Sequence, residues 1–198
     1  MRFSVIIPAH NSEGYIEKAL QSIKDQTYKD YELIVICDDC SDKTYEVALK
    51  YADKVRSVTF GRDGLARNAG IDIAEGDWIL FMDDDDWWIH EYVLKELSEM
   101  IDKWGDKVDI FAFAFIFKGR GYASPIGNNG YRYISCWSKC FKRSFIGSTR
   151  FSDRWAWSDV DFNKEIMKKK PRIYDLEMLM YYYNYLRPGS ISEREGKK

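Results

Sequence analysis

The chain has 198 residues, 45 % hydrophobic and 31 % charged, so a core and a solvated surface are both available and wholesale disorder is excluded. No run of about 18 apolar residues occurs, which excludes a spanning helix. The formal net charge of −2 hides an uneven distribution: residues 1–117 carry 13 Lys and Arg against 24 Asp and Glu, whereas residues 118–172 carry 13 against 4. An acidic front suits a metal ion and a basic back suits anionic groups; alternatively Lys168, Lys169 and Lys170 only solvate a helix end. The slightly acidic whole, with no recognisable nucleic-acid module, argues against a nucleic-acid partner.

Phe3 to Ile7 reads as a buried strand ending at Pro8, with no signal peptide ahead of it, so the expected compartment is cytoplasmic and reducing. Asn11 and Ser12 are cap residues, and Ile16, Ala19, Leu20 and Ile23 recur with helical spacing behind them. Leu33 to Ile36 is a second buried strand, ending in CDDCSD. A helix over Thr44–Tyr51, a strand over Val55–Phe60, a turn over Gly61–Gly64 and a helix over Leu65–Ala74 follow. Trp78 to Met82 is a fourth buried strand that runs into four aspartates. This alternation is the signature of a parallel α/β sheet with right-handed crossovers, in which ligands sit beyond the carboxyl ends of the strands. The polar clusters after Ile7, Ile36 and Met82 are therefore expected on one rim.

Beyond Glu91 the pattern gives a helix to Lys103, an apolar strand at Ile110–Phe117 and a glycine-rich loop at Gly119–Gly130. A strand over Tyr131–Cys136, a helix over Ser158–Lys169 and a Tyr-rich strand over Met178–Tyr185 complete the reading, with a frayed charged tail from Glu193. No repeat or linker divides the chain.

The strongest chemical signal is Asp83-Asp84-Asp85-Asp86 after a buried strand. Adjacent carboxylates repel unless a cation neutralises them, and oxygen ligands favour Mg2+ or Mn2+ shared with substrate phosphates. A solvated acidic loop or a calcium site is the alternative. Asp38, Asp39 and Asp42 can accept hydrogen bonds from a base or ribose, although Asp42 also reads as a helix cap. Arg67 in GLARNAG can pair with a phosphate or form a surface salt bridge. RFSDRWAWSDVDF holds Asp153, Asp159 and Asp161 with Trp155 and Trp157; a carboxylate at a helix start there, raised in pKa by burial beside the rings, could take a proton from a sugar hydroxyl, and capping is the competing role for Ser158 and Asp159. Trp87 and Trp88 suit sugar stacking or core filling, and His10 and His90 read as packed or exposed rings rather than ligands. The cysteines at 37, 40, 136 and 140 allow a zinc site, with buried thiols the plainer reading.

Taken in order, SVIIPAHN, ELIVICDDCSD, GLARNAG and GDWILFMDDDDWW resemble the inverting family 2 of nucleotide-sugar glycosyltransferases, closely over residues 3–90 and more loosely through KCFKRSF, SDVDF and RPGSIS. The resemblance implies one α/β GT-A domain over residues 1–198, with a nucleotide-sugar half at 1–90 and an acceptor and catalytic-base half at 91–192. It implies that Pro8 and His10 border the nucleobase and that Asp38, or Asp39, takes the uracil place. Arg67 would lie near the diphosphate, Asp84 near the ribose, and Asp85 with Asp83 on Mn2+ or Mg2+. Asp159 would be the base, and Arg187 and Ser190 would close over the donor. The implied activity moves a sugar from a UDP-sugar to a glycan hydroxyl, with peripheral membrane contact and membership of a longer protein both open. Rival readings are a nucleotidyltransferase and a non-catalytic sugar-nucleotide-binding domain. Three departures stand out: Cys37 and Asp39 replace the usual aspartate and glycine around Asp38, and Ser158 replaces the glutamate before the base.

Overall fold

The computed structural model describes residues 2–124 and 135–185. The first half alternates as expected: β1 (Phe3–Ala9), α1 (Ile16–Lys24), β2 (Tyr31–Asp38), α2 (Thr44–Ala48), β3 (Lys54–Val58), α3 (Asp63–Ile73) and β4 (Trp78–Phe81). The second half holds β5 (Trp87–Trp88), α4 (Val93–Trp104), β6 (Ile110–Phe117), β7 (Gly121–Ala123), β8 (Lys139–Lys142), α5 (Arg143–Ile146), α6 (Ser158–Lys168) and β9 (Ile173–Tyr183). Among the described residues these strands form one sheet in the order β3-β2-β1-β4-β8-β6-β9-β5, with β7 hairpinned onto β6.

The sheet is parallel from β3 to β4 and mixed beyond it. β8 runs antiparallel between β4 and β6, β9 runs parallel to β6 across an irregular register near Ala114, and β5 pairs antiparallel with β9. Alternate side chains point to opposite faces of a strand, and the core divides accordingly. Phe3, Val5, Ile7, Leu33 and Val35 pack with α1 and α4 on one face; Ile6, Ile34, Ile36, Ile79 and Phe81 pack with α3 and α6 on the other. β1 is buried along its whole length, which is why it reads as a continuous apolar run. Pro8 is compatible with this central strand because β1 pairs with β4 only as far as Ile6, so its missing N–H is not needed there.

Several boundaries differ from the sequence reading. α1 starts at Ile16, not at Asn11 or Ser12, because Asn11 takes a left-handed conformation (φ 45°) and the Ser12 carbonyl accepts a turn from the Tyr15 and Ile16 amides. β8 was not anticipated, since its sequence KCFK carries two lysines. Lys139 is nonetheless fully buried, its ammonium donating to the Ser135 carbonyl. β7 falls inside the stretch expected to be loop, and β9 begins five residues earlier than expected, at Ile173. Most of the strand expected over Tyr131–Cys136 lies outside the described residues. No helix among the described residues is long and apolar enough to cross a membrane.

Two glycines let α3 sit close to its neighbours. A Cβ on Gly70 would lie 2.4 Å from Cγ2 of the fully buried Ile6, and one on Gly64 would lie 2.8 Å from Cβ of Ser158 at the start of α6. Gly70→Ala is expected to lower the unfolding free energy by about 1–3 kcal/mol through overpacking, measured by urea denaturation.

Candidate active site

At their carboxyl ends β1 and β4 part, the place where a parallel α/β sheet is expected to offer a crevice. β1 stays paired with β2 as far as Ala9 and Cys37, but its register with β4 ends at Ile6 and Phe81. The sheet's crossovers diverge to either side of this point, the usual place for ligands in a parallel α/β sheet. The segments leaving β1, β2 and β4 meet here. The His10 amide donates to Oδ2 of Asp84 at 3.1 Å, and His10 Nδ1 lies 2.7 Å from the Asp38 carbonyl oxygen. A carbonyl can only accept, so Nδ1 carries the proton. The three polar clusters therefore share one rim, as strand alternation implied.

The two aspartates after β2 have different tasks. Asp38 is 4 % exposed, and its carboxylate accepts the backbone amides of Phe60 at 2.6 Å, Gly61 at 3.0 Å and Arg62 at 2.8 Å. It binds the β3–α3 connection. Asp39 is exposed at φ 54°, its amide donating to the Val58 carbonyl. Its carboxylate is the one that faces solvent at the end of β2. Asp42 accepts the amide and hydroxyl of Thr44 at the start of α2 and the amide of Glu13, which agrees with the capping role.

Arg67 lies on α3 and is 5 % exposed. Its Nη1 donates to Asp63 Oδ2 at 2.5 Å and its Nη2 to Asp83 Oδ1 at 2.6 Å, while Nε is buried without a hydrogen-bond partner. Burial alone would lower the guanidinium's pKa, but the fields of Cys136, Asp63, Asp83 and Asp159 raise it well above its usual value. The surface salt bridge considered for Arg67 is thus a buried one. Asp63, which sequence reasoning passed over, also accepts the Ser158 hydroxyl at 3.3 Å and so links α3 to α6. Its four-residue spacing from Arg67 on one helix face was the available signal.

The aspartate run divides its members. Asp86 is fully buried; it accepts the Tyr181 hydroxyl at 2.6 Å and the Asn184 amide at 2.8 Å. Burial, with the charges of Asp85 and Asp83, pushes its pKa well above the usual carboxylate range. Burial likewise raises Asp83, against the opposing pull of Arg67. The Tyr181 hydroxyl also accepts the Asp83 amide at 3.2 Å, so β9 braces the run at both ends. Trp88 belongs to the core, and Trp87 stacks on Tyr182 at 4.2 Å with the Lys18 ammonium over its ring. Neither indole is open for a sugar. Among the described residues no group of three or more His, Cys, Asp or Glu is arranged to hold a metal ion. Cys37, Cys136 and Cys140 are buried free thiols and Cys40 is partly buried.

Asp159 lies in the first turn of α6, accepting the Val160 amide at 2.9 Å. Burial raises its pKa to about 6; Arg67 opposes that shift, whereas Asp83 and Asp63 add to it. A carboxyl poised near neutrality, in the field of the Arg67–Asp83 pair, has the properties of a general base. Trp155 and Trp157 just before it are exposed. Arg187 and Ser190 lie outside the described residues.

Residues 4–166 match the family described as Glycosyl transferase family 2. The chain belongs to that family. Glycosyltransferase GlyA of Streptococcus pneumoniae is 25 % identical over 96 % of this chain and 31 % of its own length. The crystal structure of Staphylococcus aureus TarS 1–349 in complex with UDP-GlcNAc superposes with a TM-score of 0.85 at 25 % identity, covering 98 % of this chain and 61 % of that one. The mannosyltransferase PcManGT of Pyrobaculum calidifontis, in complex with GDP-Man and Mn2+, shares the fold with a TM-score of 0.74 at 15 % identity, over 95 % of this chain and 58 % of that one. This family 2 chain has the GT-A fold, and it spans under two thirds of each of these proteins.

The division of labour at β2 is directly testable. Asp38→Ala is expected to cost about 2–4 kcal/mol of stability, because three backbone donors lose a charged acceptor. Asp39→Asn should leave the urea midpoint unchanged, since the Asp39 side chain is exposed.

Proposed function

We propose that this chain transfers a sugar from a UDP-sugar to a hydroxyl of a glycan acceptor with inversion of the anomeric centre, as one unit of a longer protein. The observation that carries this reading is the placement of Asp159: a carboxyl raised to about 6, at a helix start, in the field of the Arg67–Asp83 pair beside the β1/β4 crevice. Family membership and the likeness to a UDP-GlcNAc-bound relative support the donor class. In this reading the nucleotide lies along the crevice, with Asp39 toward the base, Pro8 and His10 beside it and Asp84 toward the ribose. Arg67 acts mainly through Asp83, since both of its Nη groups already have carboxylate partners. Asp159 takes the proton from the acceptor hydroxyl as that oxygen attacks the anomeric carbon, and UDP departs from the opposite face. A single displacement of this kind inverts configuration and needs no covalent sugar–enzyme species.

The donor set suits Mg2+ or Mn2+. Asp83 and Asp86 are disfavoured as anions by burial and by Asp85, and a cation at the end of β4 would favour their ionised forms. Asp85 and Asp83 would hold the ion, which when bound supplies charge neutralisation for the departing diphosphate. Asp86 is excluded from that role by its bonds to Tyr181 and Asn184. Such ions are held by one or two carboxylates together with substrate phosphates, so a preformed three-residue cage is not required. A nucleotidyltransferase is disfavoured by the family match, and it would have no use for a base at Asp159.

Asp159→Asn is expected to reduce sugar transfer by at least about a thousandfold while UDP binds as in wild type. Wild-type turnover in that variant would remove Asp159 from the base role. In the wild type, kcat/KM should fall as pH drops through about 6, when Asp159 of the free protein takes up a proton among Arg67, Asp83 and Asp63. The same shift has a stability consequence. A carboxylate whose folded pKa is raised above its unfolded value destabilises the native state at neutral pH, and the penalty disappears below pH 4. Asp159→Asn should therefore melt about 2–4 °C higher than wild type at pH 7.5, with the gain absent at pH 4.

A further inference from the structure

Trp155 and Trp157 are 53 % and 52 % exposed, the two largest indole surfaces left to solvent among the described residues. They stand four and two residues before Asp159. Neither exposure is explained by packing, and both leave apolar area in water that burial would recover. Trp157 has a second peculiarity. It adopts a left-handed conformation, φ 68° and ψ 19°, immediately before α6. That region is strained for a bulky side chain and natural for glycine or asparagine, and such strain persists where function requires it.

Trp155 is covered from the β3–α3 connection. The Arg62 guanidinium lies over its ring at 5.6 Å, and Arg62 Nε is 3.5 Å from Asp153. The backbone of Arg62 is held in turn by Asp38, and the next residue, Asp63, touches Ser158. One connection, residues 60–63, thus fixes the base-bearing helix and the cation that covers Trp155.

We infer that Trp155 and Trp157 form the acceptor platform, stacking on the C–H face of a pyranose ring and presenting one of its hydroxyls to Asp159. This rests on the transferase reading above and narrows its substrate to ring-form sugars. An indole is a flat apolar surface with a polar edge, and it matches the flat, C–H-rich face of a pyranose. An open-chain polyol phosphate offers no such face. The platform belongs to the acceptor because the atom that Asp159 deprotonates is an acceptor hydroxyl.

The test uses Trp155→Ala and Trp157→Gly in the full chain. Ligand-observed NMR titrations with UDP present would take the methyl β-pyranosides of glucose, galactose and N-acetylglucosamine, with ribitol 5-phosphate as the open-chain comparison. At least one pyranoside should bind the wild type, with about tenfold or greater loss of affinity in each variant; UDP affinity should not change. Trp157→Gly should melt at or above the wild-type temperature, because glycine relieves the left-handed strain, which separates a binding role from a structural one. No pyranoside binding to the wild type, unchanged affinity in the variants, or an equal loss for ribitol 5-phosphate would overturn the platform. Failure of the transferase reading looks different: pyranosides bind in a tryptophan-dependent manner, yet no UDP is released from UDP-glucose, UDP-galactose or UDP-N-acetylglucosamine.

Discussion

A buried guanidinium organises this molecule. Arg67 is almost wholly removed from water, which is costly for a cation unless carboxylates replace the lost solvation. Asp63 and Asp83 do so at 2.5 and 2.6 Å. Because Asp83 ends the β4 segment and Asp63 touches Ser158, the same charge ties α3 to the central sheet and to the helix that carries Asp159. Gly64 and Gly70 remove the bulk that would keep these elements apart. With one cation at the centre, Asp63, Asp83 and Asp159 can gather in a small volume, and without it their mutual repulsion would push them apart.

The second brace is Tyr181. Its hydroxyl donates to Asp86 and accepts the Asp83 amide, so β9, from the far end of the chain, fixes the geometry of a run that leaves β4. Its ring stacks on Trp137 at 4.8 Å, which anchors it in the core. Four consecutive aspartates are therefore not four equivalent ligands. Asp86 is committed to the fold, Asp83 to Arg67, and Asp84 to the His10 amide. On the proposed reading the nucleotide completes what the protein begins, since its phosphate oxygens supply coordination that the chain does not preassemble.

Legibility followed burial. Strands buried on both faces, such as β1 and β6, produce apolar runs whose ends can be read within a residue or two, and the crevice follows from strand order. β8 escaped notice because it is four residues long and includes a buried lysine, a placement that only tertiary contacts make tolerable. Asp38 and Asp39 illustrate a different limit. Neighbouring aspartates look alike in sequence, and only the course of residues 60–62 decides that Asp38 is enclosed by amides while Asp39 stays in solvent. Asn11 and Ser12 resemble a helix start in composition, yet Asn11 Oδ1 accepts the amides of Ser41 and Asp42 across the rim. Cap-forming residues satisfy whichever amides the fold brings near, and local sequence does not say which those are.

On the proposed reading, catalytic competence and stability pull in opposite directions at this site. A carboxyl must be desolvated to gain basicity, and the burial that lifts Asp159 toward 6 makes its ionised form unfavourable in the folded state. Asp83 and Asp86 are shifted in the same direction by the same cause. Arg67 recovers only part of this energy, because one guanidinium faces several carboxylates. On the proposed reading, Asp83 and Asp85 would hold a divalent cation that offsets part of this cost. On that reading, donor binding and the protonation of Asp159 would be coupled through Asp83, since positive charge placed near Asp83 would lower the pKa of Asp159.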